Sequence, residues 1–99
     1  MDSSRRAPES SSINTTLDTL PLENFLAIIG QRIRQRRNAC SLSRKRLAEI
    51  SGVSERYLAQ LEAGQGNISI VLLRKVTSSL EYPLQELMSG ELPRGWHTS

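Results

Sequence analysis

Eight of the thirteen basic side chains in this 99-residue chain fall between positions 32 and 56: Arg32, Arg34, Arg36, Arg37, Arg44, Lys45, Arg46 and Arg56. Only Glu49 and Glu55 oppose them, which leaves a local charge of +6, twice the +3 of the whole chain. Such a run suits anion binding. A solvated helix face is the plain alternative, but the placing of one triplet argues against it. Arg44-Lys45-Arg46 follows Ser43, an N-cap candidate, and so occupies the first turn of a predicted helix. That turn is the positive end of the helix dipole, and three cations there are locally unfavourable. A bound phosphate relieves the repulsion and uses the free N–H groups. Arg44 and Lys45 are therefore expected to contact phosphates.

A second set of side chains has the chemistry to read base edges. In a helix predicted over 54–63, Leu58 and Leu61 face inward, and at about 100° per residue the opposite face carries Arg56, Ala59, Gln60 and Ala63. Arg56 and Gln60 lie four apart and share one surface. Ala59 and Ala63 are small enough to let the helix approach a groove floor. Glu55 stands at the edge of this face. Arginine suits guanine O6 and N7, glutamine adenine N6 and N7, and glutamate cytosine N4. The alternative for Arg56 is a surface ion pair with Glu55 or another acid, which contributes little.

Other chemistry is poorly provided for. One cysteine and one histidine are too few for a zinc site of the usual ligand set, and one cysteine excludes an intramolecular disulfide. The folded region shows no nucleophile–base pair and no Gly-x-x-x-x-Gly-Lys-Ser/Thr loop, so neither an enzyme nor a cofactor is expected. Cys40 is read as a buried, inert thiol rather than a redox centre. The longest apolar run, Phe25–Ile29, is far too short for a membrane span, and the N-terminus lacks a signal-peptide core. These features together point to a cytoplasmic protein with no membrane partner.

The elements that must position these residues read as helical. Residues 1–20 are serine-rich at their start and are expected to form a disordered arm; residues 21–90 form one domain; residues 91–99, with Trp96 and His97, form a flexible tail. Pro21 is placed in the first turn of a helix running to about Ala39, with Phe25, Leu26, Ile29 and Ile33 on its apolar face. Arg44–Ser51 is a second helix, broken by Gly52. Ser54 caps a third, with Gly64 as its stop. Ser69 opens a fourth, carrying Leu72, Leu73, Val76 and Leu80, and Pro83 opens a fifth, Leu84–Met88, ended by Gly90. The predicted class is all-α, a compact bundle of five helices. The spacing from Leu47-Ala48 through Gly52-Val53-Ser54 to Leu58 and Leu61 describes a helix-turn-helix.

The run Leu42-Ser43-x-x-x-Leu47-Ala48-x-x-Ser51-Gly52-Val53-Ser54-x-x-Tyr57-Leu58-x-x-Leu61-Glu62-x-Gly64 resembles the Cro/phage-repressor (XRE) family of DNA-binding domains. The resemblance covers about residues 28–88. It implies a five-helix fold whose second and third helices read double-stranded DNA. It also implies a structural ion pair between Arg37 and Glu62. Backbone contacts are implied for Ser43, Arg44, Lys45, Ser54 and Tyr57, and for Gln65 and Asn67 in the loop after the third helix. Within the family, Tyr57–Ile70 looks like the N-terminal domain of benzoyl-coenzyme A-responsive regulators of aromatic-acid degradation. Their sensor domain has no counterpart here, so effector sensing is not carried over.

The function expected is sequence-specific DNA binding and transcriptional regulation, by a homodimer on a palindromic operator, with no small-molecule effector identified. Leu84, Leu87 and Met88 are apolar candidates for the dimer contact, at least one of which must face the core. The alternative is an antitoxin-like interaction module that also binds its own operator.

Overall fold

The computed structural model describes residues 17–89; the expected arm before Leu17, the tail with Trp96 and His97, and the Gly90 stop lie outside them. Among the described residues there are five α-helices: α1 (Leu22–Ala39), α2 (Arg44–Ser51), α3 (Glu55–Glu62), α4 (Ile70–Ser79) and α5 (Leu84–Met88). Their ends are set by local chemistry. The hydroxyl oxygens of Ser43, Ser54 and Ser69 accept from the N–H groups of Arg46, Tyr57 and Leu72, at 2.9, 2.9 and 3.3 Å. Each satisfies a donor that the first helical turn leaves unpaired. Pro21 and Pro83 are the N-caps of α1 and α5, one position earlier than the expectation for Pro21. Gly52 closes α2 at φ +79°, a left-handed conformation that residues with a Cβ adopt only at a cost.

The core gathers Ile28, Ile29 and Ile33 of α1, Leu47 of α2, Leu58 and Leu61 of α3, Leu73, Val76 and Leu80 of α4 and its end, and Leu87 of α5. α1 packs on α3 and α5, and α2 packs on α3 and α4. The helix-turn-helix is thereby held from both sides.

Several expectations are corrected. The arm reading for 1–20 does not hold through its last residues: Leu17–Thr19 form a 3-10 turn packed on α1, and Leu17 is buried in the core. Burial of Leu17, with Leu20 packed against the same core, offsets much of the entropy lost in ordering this turn. Cys40, expected inside, is exposed, because it is the C-cap of α1, where the chain leaves the core. Leu87 is fully buried and so unavailable as a dimer contact, while Leu84 and Met88 are half-buried against the core.

Gly30 marks a close approach that periodicity does not reveal. A Cβ built there would stand 2.6 Å from the Glu62 carbonyl oxygen and closer still to that of Leu61, both backbone atoms. Alanine normally stabilises a helix interior relative to glycine by about 1 kcal/mol. Here the sign should reverse. Gly30→Ala is expected to destabilise by about 1–3 kcal/mol through overpacking, read as a fall in the urea midpoint. A rise in the midpoint would show that α1 and α3 do not meet this closely.

Candidate nucleic-acid interface

The basic run does not form one surface. Arg32 and Arg36, one turn apart on α1, are turned to structural use. Arg32 Nη1 donates to the carbonyls of Leu87 and Ser89 at 2.9 and 2.7 Å, closing α5. Arg36 donates from Nε to Leu80 and from Nη2 to Glu81, at 3.2 and 2.7 Å, closing α4, and it lies 4.9 Å from the centre of the Tyr82 ring. Cations at helix C-termini satisfy carbonyls that have no partner within the helix. Sequence reasoning missed these roles. The i, i+4 spacing of Arg32 and Arg36 is the only local sign, and it does not say what lies opposite.

Arg37 is drawn inward. Its Nε and Nη2 donate to the two Glu62 carboxylate oxygens at 2.6 and 2.9 Å, and Nη1 donates to the Leu42 carbonyl at 2.8 Å. The pair expected from the family resemblance is therefore present, in two-pronged geometry, with the side chains 9% and 4% exposed. The hydrogen-bonded Glu62 carboxylate holds the Arg37 guanidinium above the usual arginine range, against the opposing effect of burial. Arg46 makes an exposed ion pair with Glu49, one turn along α2, at 3.1 Å.

Of the four that remain, Arg34 is exposed on α1, and Arg44, Lys45 and Arg56 lie on the helix-turn-helix. Arg44 and Lys45 occupy the first turn of α2, Lys45 exposed and Arg44 partly so. Glu55, Arg56 and Gln60 of α3 are exposed, Ala59 is half-buried, and Leu58 and Leu61 are buried beneath them. Among the described residues neither Arg56 nor Lys45 has an ion pair or a side-chain hydrogen bond, so the alternative of an Arg56–Glu55 pair does not occur. Glu55 stands in the first turn of α3, where its charge also favours the helix dipole.

Ser43 and Ser54, each spending an oxygen lone pair on its cap, keep a hydroxyl hydrogen to donate. Tyr57 is half-buried, and its phenol reaches toward the Ser69 carbonyl at a long 3.5 Å. Burial raises its pKa above the ordinary phenol value, so it stays neutral. Gln65 and Asn67 are exposed in the loop joining α3 to α4. The Gln65 N–H donates to the Gln60 carbonyl at 2.9 Å, tying this loop to the end of α3. With eight residues, α3 is about 12 Å long, close to the width of the DNA major groove.

Among the described residues no cluster of metal-ligating side chains occurs, and no helix is long and apolar enough to cross a membrane. Comparison with known proteins agrees with the geometry. The profile of the helix-turn-helix family HTH_3 matches residues 33–87. Over 78 residues the chain is 36% identical to an "uncharacterized transcriptional regulator in ATPase CF(0) region" of Rhodospirillum rubrum, covering 79% of this chain and 71% of that one. Its structure is similar to that of the restriction-modification controller protein C.AhdI from Aeromonas hydrophila, with a TM-score of 0.60 and 39% identity over 63% of this chain and 94% of the other. It is also similar to SinR, the master regulator for biofilm formation, in a structure solved in complex with DNA: the TM-score is 0.56 and the identity 42%, over 60% of this chain and 95% of the chain in that structure. A capped helix pair around a left-handed Gly52, a core that leaves the outer face of α3 free, and a family match over more than half of its length make this chain a member of the HTH_3 helix-turn-helix family.

Proposed function

We propose that this chain regulates transcription by binding double-stranded DNA, with α3 in the major groove and the start of α2 on the sugar-phosphate backbone. One observation carries the reading: the face of α3 opposite buried Leu58 and Leu61 presents Arg56 and Gln60 to solvent, and no acid among the described residues neutralises Arg56. Glu55, Arg56 and Gln60 are the base-reading residues. Ser43, Arg44, Lys45, Ser54, Tyr57, Gln65 and Asn67 are the backbone contacts, supported by their places in the first turns of α2 and α3 and in the loop after α3. The relatives named as transcriptional regulators, and SinR's complex with DNA, support the same reading.

The finer parts of the proposal are a homodimer on a palindromic operator and a cytoplasmic location. A single eight-residue reading helix has a short footprint, and two-fold pairing doubles it. The nearer affinity to regulators of aromatic-acid degradation rests on Tyr57–Ile70 alone and brings no effector with it.

Selection of bound duplexes from a random library is the direct test. The expected result is one enriched motif in inverted repeat, with half-site centres about one helical turn apart. Recovery of unenriched sequence would sink specific recognition, and a single unrepeated half-site would sink the dimer.

The backbone role of Arg44 has its own test. Arg44→Ala is expected to weaken binding to all duplexes about equally and to reduce the slope of log K against log salt by about one. A changed base preference at an unchanged slope would reassign this end of α2.

A further inference from the structure

We infer that Glu62 is a positioning residue for DNA-backbone binding: besides pairing with Arg37, it holds the Arg44 guanidinium in place at the start of α2. The inference rests on the reading of Arg44 as a phosphate contact and says what prepares Arg44 for it. Glu62 Oε1, which accepts from Arg37 Nη2 at 2.9 Å, also lies 3.4 Å from Arg44 Nε. The two arginines stand in different positions around this one carboxylate. Arg37 is fully engaged, two nitrogens on Glu62 and the third on the Leu42 carbonyl. Arg44 is engaged at one point only. Its Nε is shut off from solvent without a hydrogen-bond partner, while its side chain is 41% exposed.

Charge completes the argument. One carboxylate between two guanidiniums leaves one surplus positive charge. Arg37 is buried and satisfied, so the surplus is felt at Arg44, beside Lys45 and the positive end of α2. A free arginine loses most of its rotamer freedom when it grips a phosphate. Arg44 has given up much of that freedom on folding, through an attraction anchored in a side chain only 4% exposed. The same carboxylate that joins α1 to α3 thus sets the backbone contact on α2. A lysine at position 44 keeps the charge but has no Nε–H to lie against Glu62.

The test has two arms. In the folded wild-type chain, nitrogen-15 NMR of arginine side chains should show the Arg44 Nε–H exchanging with water more slowly, and moving less, than that of Arg56. Equal exchange and mobility overturn the inference, and this arm needs no variant to fold. In the second arm, Arg44→Lys should lower affinity for a random-sequence duplex of about two helical turns by roughly threefold to tenfold at unchanged salt slope. The same substitution made in a Glu62→Gln background should have no further effect. If the loss persists undiminished there, arginine's geometry at the phosphate causes it and Glu62 does not position Arg44. If Glu62→Gln fails to fold by circular dichroism, the NMR arm decides. Should Arg44→Ala leave the salt slope unchanged while Arg44 is restrained, it is the phosphate-contact reading that fails.

Discussion

Arg37→Ala is expected to cost about 3–5 kcal/mol of folding stability, the characteristic loss when one member of a buried ion pair is removed. Glu62 would then keep its carboxylate in a site 4% exposed, with both oxygens deprived of their donors at 2.6 and 2.9 Å. The Leu42 carbonyl would lose its 2.8 Å donor as well. Arg44, 3.4 Å away and without a hydrogen bond to the carboxylate, does not replace them. Domains of this kind are stable by only roughly 0.05–0.15 kcal/mol per residue, so much of the variant should be unfolded at room temperature. Urea titration followed by circular dichroism reads the change. The cause is separable from lost packing: Arg37→Met combined with Glu62→Met should recover most of the stability, since the unpaired charge is then gone. A loss below about 1 kcal/mol for Arg37→Ala would mean that the pair behaves as a solvated one.

Arg56→Ala should have the opposite profile, leaving the fold intact and damaging recognition. Arg56 is exposed and has no ion pair or side-chain hydrogen bond among the described residues, so unfolding should shift by no more than about 0.5 kcal/mol. On the preferred duplex the loss should be about 1–3 kcal/mol, with relaxed preference at one base position. On random duplex the loss should be smaller, because only a charge contribution is removed there. Competition binding with the selected motif and with scrambled sequence measures both. Equal losses on the two would make Arg56 a backbone contact and leave base reading to Glu55 and Gln60.

The elements of this fold were legible because their signals are local. A serine three residues before the N–H it accepts from, a glycine where the chain must turn left-handed, and leucines at helical spacing each act within one or two turns. Ser43, Gly52, Ser54, Leu58 and Leu61 therefore announced α2, the turn and α3, and with them which face of α3 is left outside. What the sequence by itself determined was thus the helix-turn-helix and its outward-facing Arg56 and Gln60. The partners of Arg32 and Arg36 were decided by the tertiary structure alone, and that of Arg37 was legible only through the family resemblance. Arg32, Arg36 and Arg37 look alike as a basic stripe on α1, but the ends of α5, α4 and α3 come to them from as far as 57 residues away along the chain. Gly30 is silent for the same reason, since its need for a missing Cβ comes from the backbone of Leu61 and Glu62. Capping and periodicity are short-range, whereas an ion pair between helices or a close approach exists only once packing has brought two distant segments together.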